Sequence, residues 1–298
     1  MVVEEVPPSL RLLYPFTPRR VRVKTGELSV VNEGEGPVVV MVHGNPSWSF
    51  LFRDLILRLR SSYRCIAVDH QGCGLSDPQK APLRMEQHSD NLGMVLSELG
   101  VNRYALVAHD WGGAIGAHRA GLQAEKILAT VFLNTAAFPV HRMPWQIRLA
   151  RVPLLGRILM EQFNAFAIGA ARQGVVNPLA EAVEDGFLFP WRERKSRRVV
   201  SRFVEDIPWR RSHPTWKTIL QAEKGLKNLA TKPCLLAWGL KDFCFDEVFL
   251  NEWIQRMPNA EVERYENAGH YVFEDAGEPL LERIEVFIGE SVGAVLGG

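Results

Sequence analysis

The stretch "LVAHDWGGAIGAHRAG", Leu106–Gly121, sets a carboxylate at a point where a hydroxyl would be the ordinary nucleophile. Its first half reads as a buried strand and its Gly/Ala-rich second half as a helix. Asp110 stands at the junction. Ala108 and Gly112, two positions to either side, are the small residues that a sharp strand-to-helix turn requires. An aspartate that merely caps the helix would fit the same place. As a nucleophile, Asp110 differs from serine in one respect. A serine hydroxyl must first lose a proton, whereas a carboxylate with an ordinary pKa of about 4 is already ionised at neutral pH. It displaces a leaving group from saturated carbon directly and becomes a covalent alkyl ester.

Two further fragments complete the chemistry. "AWGLKDFCFD" places Asp242 just past a strand-like run, and "NAGHYVFED" places His270 in a loop after the last such run. Asp246, four residues beyond Asp242, begins a helix-like stretch and reads as its N-cap. The chain order nucleophile, acid, histidine is that of α/β-hydrolases. In such a set His270 draws a proton from water in the second step, while Asp242 holds the imidazole tautomer and stabilises the imidazolium. Upstream, "HGNPSW" ends the first buried run. Backbone N–H groups of Asn45 and Trp111 would hold the tetrahedral oxyanion.

The elements that must carry these residues alternate. Apolar runs at 38–44, 63–70, 104–110, 127–136, 233–242 and 262–270 predict strands. Stretches 49–59 and 88–100 have helical periodicity, and Gly100 is a stop signal. Runs apolar on both faces and separated by helices predict a mostly parallel central sheet flanked by helices. From about Phe138 to about Thr215 no such run occurs, and the segment reads as amphipathic helices. The expected organisation is a main domain in two parts, 1–137 and 216–298, with a helical cap, 138–215, inserted between them. The basic run Arg192–Arg198 reads as a solvated helix face pairing with Glu193, Glu205 and Asp206.

Composition narrows the function classes. With 35 basic and 34 acidic residues among 298, the chain lacks the basic excess of a nucleic-acid binder. No apolar run reaches the roughly 18–20 residues of a membrane span. The start, "MVVEEVPPSLRLLYPF", is acidic and then broken by proline, unlike a secretory signal, so a cytoplasmic location is expected. Four scattered cysteines, Cys65, Cys73, Cys234 and Cys244, suit reduced thiols. His109 and His118 do not form an H-E-x-x-H pattern, and no metal or other cofactor is expected.

Taken together, "HGNPSWSF", "DHQGCGLSD", "HDWGG", "WGLKDF" and "AGHY" resemble the haloalkane dehalogenases over about residues 25–136 and 215–290. The cap is similar only in length and helicity. The resemblance implies an α/β-hydrolase fold and hydrolysis of carbon–halogen bonds through an alkyl-aspartate. It implies that the Trp111 indole and the Asn45 side chain bind the departing halide. It also implies Asp242 as the acid, since "VFLNTA" is followed by no acidic residue until Glu161. Loop asparagine with late aspartate resembles the third subfamily, which also contains β-lactone decarboxylases of olefin synthesis. The expected partners are a small apolar halogenated substrate and water, and the chain is compatible with a homo-oligomer.

Other readings have residue-level markers. Epoxide hydrolases use cap tyrosines, and none of the five tyrosines lies between 138 and 215. Fluoroacetate dehalogenases place arginines after the nucleophile, where this chain has Trp111. A binding protein on this fold would have lost a member of the triad. An aspartate attacking an ester would give an anhydride, with little advantage over water. Phe138, Pro139, Phe163, Phe166, Phe187, Phe189, Trp191 and Trp209 supply apolar surface for cap core and pocket.

Overall fold

A computed structural model describes residues 6–140 and 142–296. Residues 1–5, which hold the acidic start of the chain, lie outside the described residues, as does His141.

Eight strands form one sheet in the order β1-β2-β4-β3-β5-β6-β7-β8. They are β1 (Arg19–Val23), β2 (Gly26–Glu33), β3 (Val38–Val42), β4 (Arg64–Val68), β5 (Tyr104–His109), β6 (Ile127–Leu133), β7 (Cys234–Gly239) and β8 (Glu261–Tyr265). β2 runs antiparallel to β1 and β4, and all the other pairings are parallel. The expected α/β-hydrolase architecture is present. The hairpin β1–β2 was not among the expected strands. Its first arm, "RRVRV", sinks only alternate residues, Val21 and Val23, and leaves arginines outward at the sheet edge.

Alternation sorts the side chains of the central strands into two cores. Val40 and Val42 of β3, Leu106 and Ala108 of β5, and Leu236 and Trp238 of β7 fill one face. Val39 and Met41, Ala105 and Val107, and Leu235 and Ala237 fill the other. Both faces are therefore dry, which is why these strands read as continuous apolar runs. β8 is the opposite edge. Its "EVERY" carries charges that discourage further strand pairing.

Helices cover both faces. They are α1 (Pro8–Arg11), α2 (Arg53–Leu59), α3 (Met85–Glu98), α4 (Trp111–Gly121), α5 (Trp145–Ala150), α6 (Leu155–Arg157), α7 (Ala165–Gln173), α8 (Glu181–Leu188), α9 (Arg198–Glu205), α10 (Trp216–Leu229), α11 (Glu247–Arg256) and α12 (Val272–Leu296). α3 starts three residues before the expected 88 because Asp206 reaches its N-terminus. One carboxylate oxygen accepts from the Met85 N–H at 2.8 Å and the other from Arg84 at 2.8 Å. Between β6 and β7 the described residues form only helices, turns and loops. We propose residues 138–215 of this stretch as the cap. α10 falls outside it because it packs on α4, where Gly121 and Gly225 let the two backbones touch.

The basic run pairs differently from the expectation. Lys195 does bridge Glu193, but Glu205 binds Arg157 and Asp206 binds Arg84. Neighbouring elements of the tertiary fold supply cations closer to these carboxylates than the run itself does.

Candidate active site

The junction of β5 and α4 is a strained elbow. Asp110 has φ 52° and ψ −127°, outside the broad allowed regions for a non-glycine residue. Two glycines permit the contacts around it. A Cβ on Gly112 would lie 1.9 Å from the Val42 carbonyl, and one on Gly44 would lie 2.0 Å from Asp110 Oδ1. The turn therefore presses the carboxylate against the loop that follows β3. There the Asn45 N–H donates to Oδ1 at 2.6 Å. The Trp111 N–H also donates to this carboxylate. These are the two donors expected for an oxyanion hole, and in the resting protein they hold the carboxylate itself.

The second oxygen, Oδ2, lies 3.8 Å from His270 Nε2. On the far side of the ring, Nδ1 of His270 lies 2.8 Å from Asp242 Oδ2. Asp242 follows the end of β7, and its Oδ1 accepts the Cys244 N–H at 2.6 Å. The structure thus brings Asp110, His270 and Asp242 into one line. Asp246 stands apart as the N-cap of α11, accepting from the Val248 N–H at 3.1 Å.

Burial and charge oppose each other at all three groups. Burial pushes the Asp110 carboxyl above its ordinary pKa, although His270 and the N–H groups of Asn45 and Trp111 pull it down. Burial would raise Asp242 too. There the charge and hydrogen bond of His270, with the N–H groups of Cys244 and Phe245, prevail and hold the carboxyl below its ordinary value. Burial lowers the basicity of His270, yet Asp242 and then Asp110 outweigh it and leave the ring more basic than usual.

Two positioning residues were not singled out from sequence. Asn134, just past β6, donates Nδ2 to Asp242 Oδ2 at 3.0 Å and to the Gly239 carbonyl at 3.0 Å, and its Oδ1 accepts the Gly239 N–H at 2.9 Å. It therefore ties the end of β6 to the acid. A polar amide closing the run "ILATVFLN" was the available signal. His109, which the sequence marked only as outside a metal-binding pattern, donates Nε2–H to the His270 carbonyl at 2.8 Å. Burial lowers its pKa to about 3, so the ring is neutral and fixes the backbone of the histidine loop.

Asp110, Trp111, Asn45 and His270 line a cavity of about 110 Å³. Phe138, Ile147, Phe166, Val204, Ile219, Phe245 and Phe249 make most of the remaining wall apolar. Of the aromatic residues expected in cap core and pocket, Phe138 and Phe166 reach this cavity. Phe187 stacks on Tyr271, Phe189 packs against Trp48, and Phe163 is exposed. No tyrosine lines the cavity. The side chain of Asn45 donates to the Val200 carbonyl of α9 at 3.3 Å, while its Oδ1 is buried without a partner. The Trp111 ring lies 5.6 Å from that of Phe203.

Comparison with known proteins agrees with this fold. Residues 37–277 match the family model for the alpha/beta hydrolase fold. The chain is a member of the α/β-hydrolase family. Within that family it is 39% identical to a cis-3-alkyl-4-alkyloxetan-2-one decarboxylase of Xanthomonas campestris, over 92% of this chain and 97% of that one. It is 30% identical to haloalkane dehalogenase 2 of Mycobacterium tuberculosis, over 91% of this chain and 95% of the relative. Among solved structures, an ancestral haloalkane dehalogenase superposes with a TM-score of 0.82 at 25% identity, covering 92% of this chain and 99% of that one. This α/β-hydrolase therefore belongs where dehalogenases and β-lactone decarboxylases meet. No helix among the described residues is long and apolar enough to cross a membrane.

Proposed function

We propose that Asp110 is the nucleophile of an enzyme acting at saturated carbon, and that its substrate is a cis-3,4-dialkyl β-lactone that it converts to an alkene. The observation that carries the reaction type is the division of labour between the two Asp110 oxygens. Oδ1 is held by a backbone N–H, while Oδ2 stands outside hydrogen-bond reach of His270 on an apolar cavity wall. The higher identity to the decarboxylase supports the lactone over the halide.

The lactone reaction balances with no other reactant. Oδ2 attacks ring carbon 4, the C4–O bond breaks, and its electron pair stays on the freed substrate carboxylate. The bond from carbon 3 to that carboxylate then breaks, and its pair forms the alkene. The C4–Oδ2 bond breaks in the same step, which returns Asp110 and releases carbon dioxide. Inversion at C4 followed by anti elimination gives a cis alkene. No proton moves, so the basic His270 acts here as a nearby charge and a positioning group.

Haloalkane hydrolysis is the second reading, favoured by the halide donors that Asn45 and Trp111 offer. Oδ2 displaces halide and the ester forms. His270 takes a proton from water, whose oxygen attacks Cγ while the Asn45 and Trp111 N–H groups hold the oxyanion on Oδ1. Alcohol, halide and a proton result. The deciding experiment offers the purified protein a long-chain cis β-lactone, 1-iodohexane and 1,2-dibromoethane side by side, with alkene and halide both measured. Alkene without comparable halide release supports the proposal. Halide release with an inert lactone would move the assignment to dehalogenase.

A further inference from the structure

A second apolar chamber, of about 200 Å³, adjoins the catalytic cavity. Ile147, Phe166, Ala170 and Phe243 line both spaces. The shared wall stands at the reacting centre, for the Phe243 ring lies 6.3 Å from that of His270. α7 contributes one face to the second chamber through Phe166, Gly169, Ala170 and Gln173, at i, i+3, i+4 and i+7. Gly169 is the opening in that face. A Cβ built on it meets nothing within 4 Å, although it sits inside a helix where glycine is disfavoured. At the outer end, Trp145 and Leu149 line the chamber while 69% and 41% exposed, so it opens to solvent past an apolar rim.

We infer that the second chamber receives one of the two alkyl arms of the lactone, beyond the wall formed by Phe166 and Phe243. Gly169 sets how much of the second arm fits. The inference rests on the β-lactone reading and extends it. A lactone with chains on neighbouring ring carbons needs two apolar spaces meeting at Asp110 and His270. A terminal haloalkane needs only one. Phe166 and Phe243 separate the arms, and the rim at Trp145 lets a longer tail protrude.

The test fills the chamber from its open side. The Cβ of Gly169→Ala enters free space, and the longer side chains of Gly169→Leu and Gly169→Phe extend from that point into the chamber, with circular dichroism and Tm as the check that each variant is folded. Each variant is compared on a cis β-lactone with two octyl arms and on one whose second arm is a methyl group. Each buried methylene is worth about fourfold in binding. Gly169→Leu and Gly169→Phe should therefore lower kcat/KM for the two-armed lactone about tenfold or more beyond any change on the one-armed lactone. The discrimination should grow with the size of the new side chain. In the unaltered protein, lengthening the second arm should raise kcat/KM until the chamber is full. Equal losses on both lactones, or no discrimination by any variant, would overturn the inference. If no lactone yields alkene, the proposed function fails separately. The chamber is then read with 5-bromononane against 1-bromohexane, where the same discrimination would preserve it. Inertness towards both substrate classes overturns both readings.

Discussion

Asp110 Oδ2 and His270 Nε2 face each other across 3.8 Å, close enough for their charges to interact and too far for a hydrogen bond. The separation leaves Oδ2 without a hydrogen bond to His270. It also leaves the imidazole nitrogen facing whatever bond forms at that oxygen. The same geometry is compatible with both proposed reactions, hydrolysis of an alkyl ester and its collapse by loss of carbon dioxide, and substitutions separate the two.

His270→Gln distinguishes them. Hydrolysis of an alkyl-enzyme needs a base, whereas decarboxylative collapse moves no proton. With a bromoalkane, the variant should accumulate one alkyl group on Asp110, seen by intact-protein mass spectrometry and located by peptide mapping. With the cis β-lactone it should retain a larger fraction of its alkene release than of its halide turnover. An adduct on another residue would reassign the nucleophile, and full bromoalkane turnover would remove His270 as base.

Asp242→Asn and Asp246→Ala should diverge. Asp242 is the carboxylate on His270 Nδ1, and its loss leaves the wrong tautomer, so halide turnover should fall by about 10⁴-fold. Asp246 caps α11 and pairs at 3.1 Å with Arg142, a residue at the cavity wall. Its replacement should cost about 0.5–2 kcal/mol of stability and little of the chemical rate. Denaturation midpoints and single-turnover rates check both, and the reverse pattern would name Asp246 as the acid.

Asp110→Asn should stabilise the protein at neutral pH. The folded pKa of Asp110 lies above its unfolded value because the group is buried. Its contribution to stability is therefore fully present below the unfolded pKa and is lost as pH rises through the folded pKa. Asparagine keeps an acceptor for the Asn45 N–H and carries no charge. The Tm of the variant should exceed that of the parent above this pH, by about 2–4 °C per kcal/mol relieved, and the gap should close on acidification. For the same reason, the alkylation rate should lose its acid limb above the usual carboxylate range. Coincident melting curves at pH 4 and pH 8 would argue against a burial cost at Asp110.

Much of this arrangement was legible in the sequence for a physical reason. Buried parallel strands expose no face to water, so β3 to β7 appear as uninterrupted apolar runs, and the loops at their ends carry Asn45, Asp110 and Asp242. The edge hairpin β1–β2 escaped because arginines outnumber apolar residues in its first arm. In the proposed cap, the periodic stretch from Trp145 to Gly174 is broken where Leu154 and Asn164 adopt positive φ, which no hydrophobic pattern reports. The apolar residues of that region gave no sign of which would face a cavity. Phe166 and Phe187 have the same chemistry, yet one lines the site and the other packs on Tyr271. Asn134 showed in the sequence only as a polar residue closing an apolar run, and its function was hidden for a different reason. Its role is to hold another side chain, and that requires the distance to Asp242.

The most direct measurement of the central claim is rapid-quench mass spectrometry of the unaltered protein mixed with a cis-3,4-dialkyl β-lactone, with the alkene geometry read in parallel. The account predicts a transient adduct with the full mass of the lactone, mapped to Asp110. It should decay with release of carbon dioxide and a cis alkene, and Asp110→Ala should show neither adduct nor alkene. Alkene formation by Asp110→Ala, an adduct confined to another residue, or a β-hydroxy acid as the sole product would contradict it.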